Sequence, residues 1–125
     1  MTIRTLIVDD SSVARKVLRY RFEAMGFEVV GEAGNGSEGL DLFRRMEPRL
    51  VTLDLLMPKV GEIDSKDLFR TIRKENPDVA IVVISAQPKS TEQAEYIHRG
   101  AVGYFEKPLN FEALFAKLSQ IFPQR

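Results

Sequence analysis

The chain has 125 residues, 44% of them apolar and 29% charged, which suits one soluble globular domain spanning residues 1–125. Its 18 basic residues balance 18 acidic ones, so nothing argues for bulk attraction to nucleic acid or to an anionic membrane. It has no cysteine, which excludes disulfides and thiolate chemistry; it has no apolar run near a membrane span, and its first residues, MTIRTLIVDD, lack a signal peptide's apolar region, so a cytoplasmic setting is expected.

Strand-like and helix-like segments alternate along the chain. Residues 2–8 are short, apolar and β-branched, a first strand. Ala14, Val17, Leu18, Phe22 and Met25 mark one face of a helix that Gly26 stops. The basic residues on that helix, Arg15, Lys16, Arg19 and Arg21, predict a solvated face, with a partner-docking surface as the alternative. Residues 27–30 form a second strand, and Leu40, Phe43 and Met46 stripe a helix before Pro48. Residues 50–53 are the third strand; Leu68, Phe69 and Ile72 stripe a third helix that ends before Pro77. Residues 79–84, VAIVVI, form the clearest strand, and a continuous apolar run of this kind is buried on both faces. Ser90 with Gln93 reads as a capping box for a fourth helix closed by Gly100. Residues 101–105 make a last strand, and Asn110 caps a helix carrying Phe111, Leu114, Phe115, Leu118 and Phe122. Repeated βα units with short connections predict a parallel, doubly wound α/β sheet covered by helices on both faces.

In such sheets ligands bind outside the carboxyl ends of the strands. Asp9 and Asp10 follow strand one, Asp54 strand three, Ser85 strand four and Lys107 strand five. Asp is disfavoured inside strands, so an Asp54 directly behind LVTL is either a loop cap or a group held out for chemistry. Three converging carboxylates repel unless a cation sits among them, and hard oxygen ligands suit Mg2+. Lys107 and the Ser85 hydroxyl are then suited to a phosphoryl group, which makes a phosphoryl-transfer site with a carboxylate nucleophile. Helix capping is the plain alternative for each Asp alone.

Ile7-Val8-Asp9-Asp10-Ser11, Asp54 with Met57-Pro58, Ser85-Ala86 and Gly103-Tyr104-Phe105-Glu106-Lys107-Pro108 resemble the receiver domain of two-component response regulators. The resemblance covers nearly the whole chain, and the single-domain, CheY-like members are nearest in size. It implies a flavodoxin-like fold of five parallel strands, order 2-1-3-4-5, with five helices. It also implies that Asp54 accepts a phosphoryl group from a histidine kinase or phosphotransfer protein, rather than acting as a classical enzyme. Asp10 and Asp54 would bind Mg2+ through their carboxylates, Asp9 through a water, and Leu56 through its backbone carbonyl. Ser85 would hydrogen-bond the phosphoryl oxygen and Lys107 would pair with it, with a cis Lys107-Pro108 bond. Ser85 and Tyr104 would form a switch in which the aromatic ring turns inward and alters the face made by helix four, strand five and helix five. That face would bind a downstream target protein; neither nucleic acid nor a membrane is an expected partner.

The chain departs from the family in one loop. Residues 59–65 run longer than usual, and Ser65 stands where Gly is usual, so metal access or kinase contact is expected to differ. An apolar Leu56 and the neighbouring Gln87 flank the site, and Leu56 implies slow self-dephosphorylation. Gly34-Asn35-Gly36-Ser37-Glu38-Gly39 matches the dinucleotide pattern G-x-G-x-x-G. It is rejected because Gly31-Glu32-Ala33 separates it from the strand, because Glu38 would oppose a pyrophosphate, and because it leaves Asp9, Asp10 and Lys107 unexplained. A haloacid-dehalogenase-like phosphatase needs a second Asp where Leu56 stands, and His98 is expected to be an ordinary surface residue. A constitutive interaction module on the same fold, and a nucleotide-binding or hydrolytic enzyme, remain as alternatives.

Overall fold

The computed structural model describes residues 2–86 and 91–123. Five strands alternate with five helices: β1 (Arg4–Val8), α1 (Ser12–Ala24), β2 (Glu28–Ala33), α2 (Gly36–Met46), β3 (Leu50–Asp54), α3 (Ser65–Glu75), β4 (Ala80–Ser85), α4 (Thr91–His98), β5 (Gly103–Glu106) and α5 (Phe111–Ile121). The strands pair in parallel in the order β2-β1-β3-β4-β5. This is the doubly wound, flavodoxin-like arrangement expected of the sequence.

The strand period of two divides the core into two layers. Leu6, Val8, Val51, Leu53, Ile81 and Val83 face one side, where α2, α3 and α4 supply Leu40, Phe43, Leu68, Phe69, Ile72 and Tyr96. Ile7, Leu50, Val82 and Ile84 face the other, against Leu18 and Phe22 of α1 and Leu114, Phe115 and Leu118 of α5. Every residue of β4 is buried, as its unbroken apolar run requires.

Local chemistry sets the helix ends. Ser11 caps α1 by accepting from the Ala14 N–H, Asn35 caps α2 through the Glu38 N–H, and Asn110 caps α5 through the Ala113 N–H. Asp64 and Asp67 form a reciprocal capping box at α3. Gly26, at φ 88, leaves α1 in a conformation that side-chain-bearing residues resist. The expected cap at Ser90 lies outside the described residues.

Three features differ from the sequence reading. β2 continues to Ala33, because the register of β1 with β2 shifts between Thr5 and Leu6 and leaves Val30 as an extra residue. Gly31, Glu32 and Ala33 therefore belong to the strand and do not separate it from Gly34, which removes one argument against a dinucleotide site. The buried stripe of α1 narrows to Leu18 and Phe22, and Val17 and Met25 are exposed. The basic residues of α1 are not a freely solvated face either. Arg15 and Arg19 both pair with Glu32 on the edge strand, and Arg21 lies 4.6 Å over the Phe111 ring.

Candidate functional site

The tips of β1 and β3 bring acidic groups together. Asp9, Asp10 and Asp54 each offer an oxygen within 4.8 Å of the others. Asp9 is 1% exposed and Asp54 3%, whereas Asp10 opens to solvent. None of the three caps a helix; among the described residues the helix N-caps are Ser11, Asn35, Asp64 and Asn110. Instead, local bonds aim the buried pair. Asp9 Oδ1 accepts from the Ser11 N–H at 2.9 Å, and Asp54 Oδ1 accepts from the Leu56 N–H at 3.0 Å.

Lys107 reaches in from the end of β5. Its Nζ is 2.9 Å from Asp9 Oδ2 and 3.6 Å from Asp54 Oδ2. Its own N–H donates to the Ser85 carbonyl at 2.8 Å, which ties β5 to the tip of β4, and the Lys107-Pro108 peptide is cis. Ser85 is fully buried at the end of β4. The strand ends thus gather Asp9, Asp10, Asp54 and Lys107 around one spot, with the Ser85 backbone tied to that of Lys107.

The electrostatics follow from burial and crowding. Burial pushes the Asp54 carboxyl up to about 6, opposed by the Leu56 N–H; repulsion from Asp9 adds to the rise, Lys107 works against it and Asp10 adds again. Burial works against the Lys107 ammonium, but its hydrogen bond to Asp9 and the charges of Asp54 and Asp9 outweigh that and raise its pKa. One ammonium cannot balance three carboxylates, and the donor set is entirely hard oxygen. The residues present therefore fit a hard divalent cation such as Mg2+.

Tyr104 is only 5% exposed, its ring turned inward beside Tyr96 at 6.4 Å, and Tyr96 stands edge-on to Phe69 at 5.0 Å. Its hydroxyl is buried and has no hydrogen-bond partner among the described residues. Replacing an unsatisfied buried hydroxyl by hydrogen is stabilising, so Tyr104→Phe is expected to gain about 1 kcal/mol in urea unfolding. A loss of stability would show that the hydroxyl has a partner.

Leu56 is 45% exposed beside the acceptor, His98 is exposed on α4, and Gln87 lies outside the described residues. The lengthened loop packs against α2. Val60 and Ile63 form an antiparallel bridge, and Ser37 Oγ on α2 donates to the Val60 carbonyl. A Cβ on Gly36 would collide with the Ile63 carbonyl, and one on Gly39 with Leu68. Two glycines of the dinucleotide-like pattern thus serve close packing of the loop and α3.

Two residues at the site carry no motif signal. Arg15 Nη1 donates to the Asp9 carbonyl at 2.7 Å, and Ser65 Oγ donates to the Asp54 carbonyl at 2.8 Å. Arg15 looks like part of a basic helix face in the sequence, and Ser65 like an anomaly in a loop.

Residues 5–119 match the family model described as the response regulator receiver domain. The chain is 33% identical over 118 residues to the chemotaxis protein CheY of Thermotoga maritima, covering 94% of this chain and 96% of that protein. It is also 33% identical over 119 residues to the probable C4-dicarboxylate response regulator DctR of Halalkalibacterium halodurans. That match covers 94% of this chain but 50% of DctR, and the chain likewise spans about half the length of the probable transcriptional regulators ycf27 of Porphyridium aerugineum and Porphyra purpurea. Among solved structures, CheY in a CheX–CheY–BeF3–Mg2+ complex from Borrelia burgdorferi superposes with a TM-score of 0.87 at 26% identity, covering 96% of this chain and 89% of that one. The response regulator domain of Thermotoga maritima CheB gives a TM-score of 0.80, also at 26% identity, covering 99% and 96%. Receiver domains act as phosphoacceptors and signal switches, and they bind Mg2+ at an acidic pocket of the kind Asp9, Asp10 and Asp54 form here. By its motifs, its strand order and the extent of these matches, the chain belongs to the response regulator receiver family.

Proposed function

We propose that this receiver is a stand-alone, CheY-like response regulator. Asp54 takes a phosphoryl group from a phosphohistidine on a sensor histidine kinase or phosphotransfer protein, and the α4–β5–α5 face then engages a downstream target protein. The observation that carries this reading is the Asp54 carboxylate. It is buried at a strand tip, with one oxygen held by the Leu56 N–H and the other facing Lys107.

In the transfer, an Asp54 oxygen attacks phosphorus, the P–O bond forms as the donor's P–N bond breaks, and the leaving imidazole takes a proton from solvent. Asp10 and Asp54 would hold Mg2+ through their carboxylates, Asp9 through a water and Leu56 through its main-chain carbonyl. When bound, that ion supplies neutralisation of the phosphoryl charge. Lys107 offers its ammonium to a phosphoryl oxygen, and Ser85 its hydroxyl. Ser85 and Tyr104 then act as the switch. The Tyr104 ring is turned inward beside Tyr96, the position that phosphorylation on this reading favours. The donor's docking surface is the exposed side of α1, which presents Val13, Val17 and Tyr20 to solvent and whose Val17 lines a cleft with Lys107 and Pro108.

Balanced charge supports neither nucleic acid nor a membrane as a direct partner. Among the described residues, no helix is long and apolar enough to cross a membrane. A cytoplasmic location fits this reading.

The test is intact mass after incubation with acetyl phosphate. The chain is expected to gain one phosphoryl group in Mg2+ and none in chelator. After the donor is removed, the added mass should decay slowly, because an apolar, half-exposed Leu56 offers no group to orient an attacking water. No gain from a folded sample would replace this reading with a phosphorylation-independent interaction module.

A further inference from the structure

We infer that Ser65 is a positioning residue for phosphoryl transfer, an inference that rests on the reading of Asp54 as acceptor. Ser65 is the first residue of α3 and is 4% exposed. Its hydroxyl crosses the length of the β3–α3 loop to donate to the main-chain carbonyl of Asp54 at 2.8 Å. That carbonyl sits at the last residue of β3: the pairing with β1 stops one residue earlier, at Val8 and Leu53, and the pairing with β4 ends at Asp54 and Ile84. The acceptor's carboxylate is held by the Leu56 N–H, and the peptide that follows it is held on both sides, its N–H (Leu55) by the Ile84 carbonyl at 3.4 Å and its carbonyl by Ser65 at 2.8 Å.

Ser65 is itself fixed. The Asp67 N–H donates to Asp64 Oδ1 at 2.8 Å, and the Asp64 N–H returns the bond to Asp67 Oδ2 at 3.2 Å. The Leu68 N–H donates to the Asp64 carbonyl, and the Leu68 side chain is wholly buried. The rest of the long loop is folded against α2 through Ser37 and Gly36. Among the described side chains of this connection, that of Ser65 bonds to the reactive residue. A peptide free to roll at Asp54 would swing the attacking oxygen away from the line of the P–N bond. Misplacement of about 1 Å can cost a hundredfold in rate, and loss of the carbonyl-side anchor should cost roughly tenfold.

Ser65→Ala is expected to accept phosphate from acetyl phosphate in saturating Mg2+ roughly tenfold more slowly than the parent. Ser65→Thr, which keeps the hydroxyl, should recover most of that rate. Thr5→Val is the matched control. Thr5 Oγ1 donates to the Ile3 carbonyl at 3.0 Å, equally buried but at the far end of the sheet. Its removal should lower the melting temperature and leave the rate unchanged. A Ser65→Ala chain that keeps pace with the parent overturns the positioning role. So does equal slowing in Ser65→Ala, Ser65→Thr and Thr5→Val, which would mark general softening. Should Ser65→Ala not fold, Ser65→Cys carries the comparison: slower than Ser65→Thr supports the role, and an equal rate overturns it. A parent that takes no phosphoryl group overturns the reading of the site itself, whereas a phosphorylated parent beside an unslowed Ser65→Ala sinks only the role of Ser65.

Discussion

Asp54→Asn is expected to take no phosphoryl group from acetyl phosphate and, in chelator at neutral pH, to be more stable than the parent. The first outcome follows because the amide has no anionic oxygen to attack phosphorus. The second follows from the crowding at the strand tips. Burial pushes the Asp54 carboxyl up to about 6, and Asp9 and Asp10 add to the rise despite the Leu56 N–H and Lys107. In the unfolded chain the same group titrates near 3.9. Between about pH 4 and pH 6 the folded chain thus binds more protons than the unfolded one, and its stability falls as pH rises through that window. Above about 6 the penalty is complete, on the order of 2–3 kcal/mol. An uncharged Asn escapes it but accommodates the Leu56 N–H and Lys107 less well, so a net gain of about 1–2 kcal/mol is expected at pH 7.5 and none at pH 4.5. Urea unfolding at the two pH values measures this directly. Equal stability of parent and variant at both would mean that the cluster carries no repulsion in the metal-free state.

The parts of this site that could be read in the sequence are those fixed by short-range pattern. β4 is legible because a strand buried on both faces has to be an unbroken apolar run, and VAIVVI is one. Asp9, Asp54 and Lys107 are legible because a parallel sheet places the residue after each strand at one edge. β2 resists the same treatment. An extra residue at Val30 resets its alternation, and Gly31 and Glu32 then look like loop although both pair with β1. The six-residue glycine pattern misleads for a related reason. Glycine also marks close approach between backbones and neighbouring side chains, and Gly36 and Gly39 are spent on Ile63 and Leu68. Ser65 is the instructive omission. Its partner is eleven positions away, and only the path of the long loop brings the hydroxyl under the acceptor. Tyr104 shows the opposite case, since its place on β5 is plain from the sequence while its inward ring depends on Tyr96 and Phe69 from two other elements.

Lys107→Ala is expected to destabilise the chain in chelator and to tighten its hold on Mg2+. The ammonium is the counter-charge within reach of both buried carboxylates, 2.9 Å from Asp9 and 3.6 Å from Asp54. Breaking a fully buried pair costs about 3–5 kcal/mol. The Lys107 side chain is 30% exposed, and water screens part of the interaction, so about 1–2 kcal/mol is the expected loss. The sign with pH is set by its raised pKa. A lysine that holds its proton more tightly when folded contributes fully at neutral pH, and the contribution disappears only as pH climbs through that raised value. Without it, only the Leu56 N–H opposes burial and the charges of Asp9 and Asp10, so the window over which acid stabilises the chain moves above about 6. A divalent cation and an ammonium compete for the same carboxylate oxygens, and removing the competitor should raise the apparent Mg2+ affinity several-fold. The stability deficit of the variant should therefore shrink as Mg2+ is titrated in. Thermal unfolding across a Mg2+ series, with parent and variant side by side, reads both effects at once. If the two chains melt together in chelator and respond alike to Mg2+, Lys107 is not the counter-charge of this cluster, and its role lies in contacting the phosphoryl group alone.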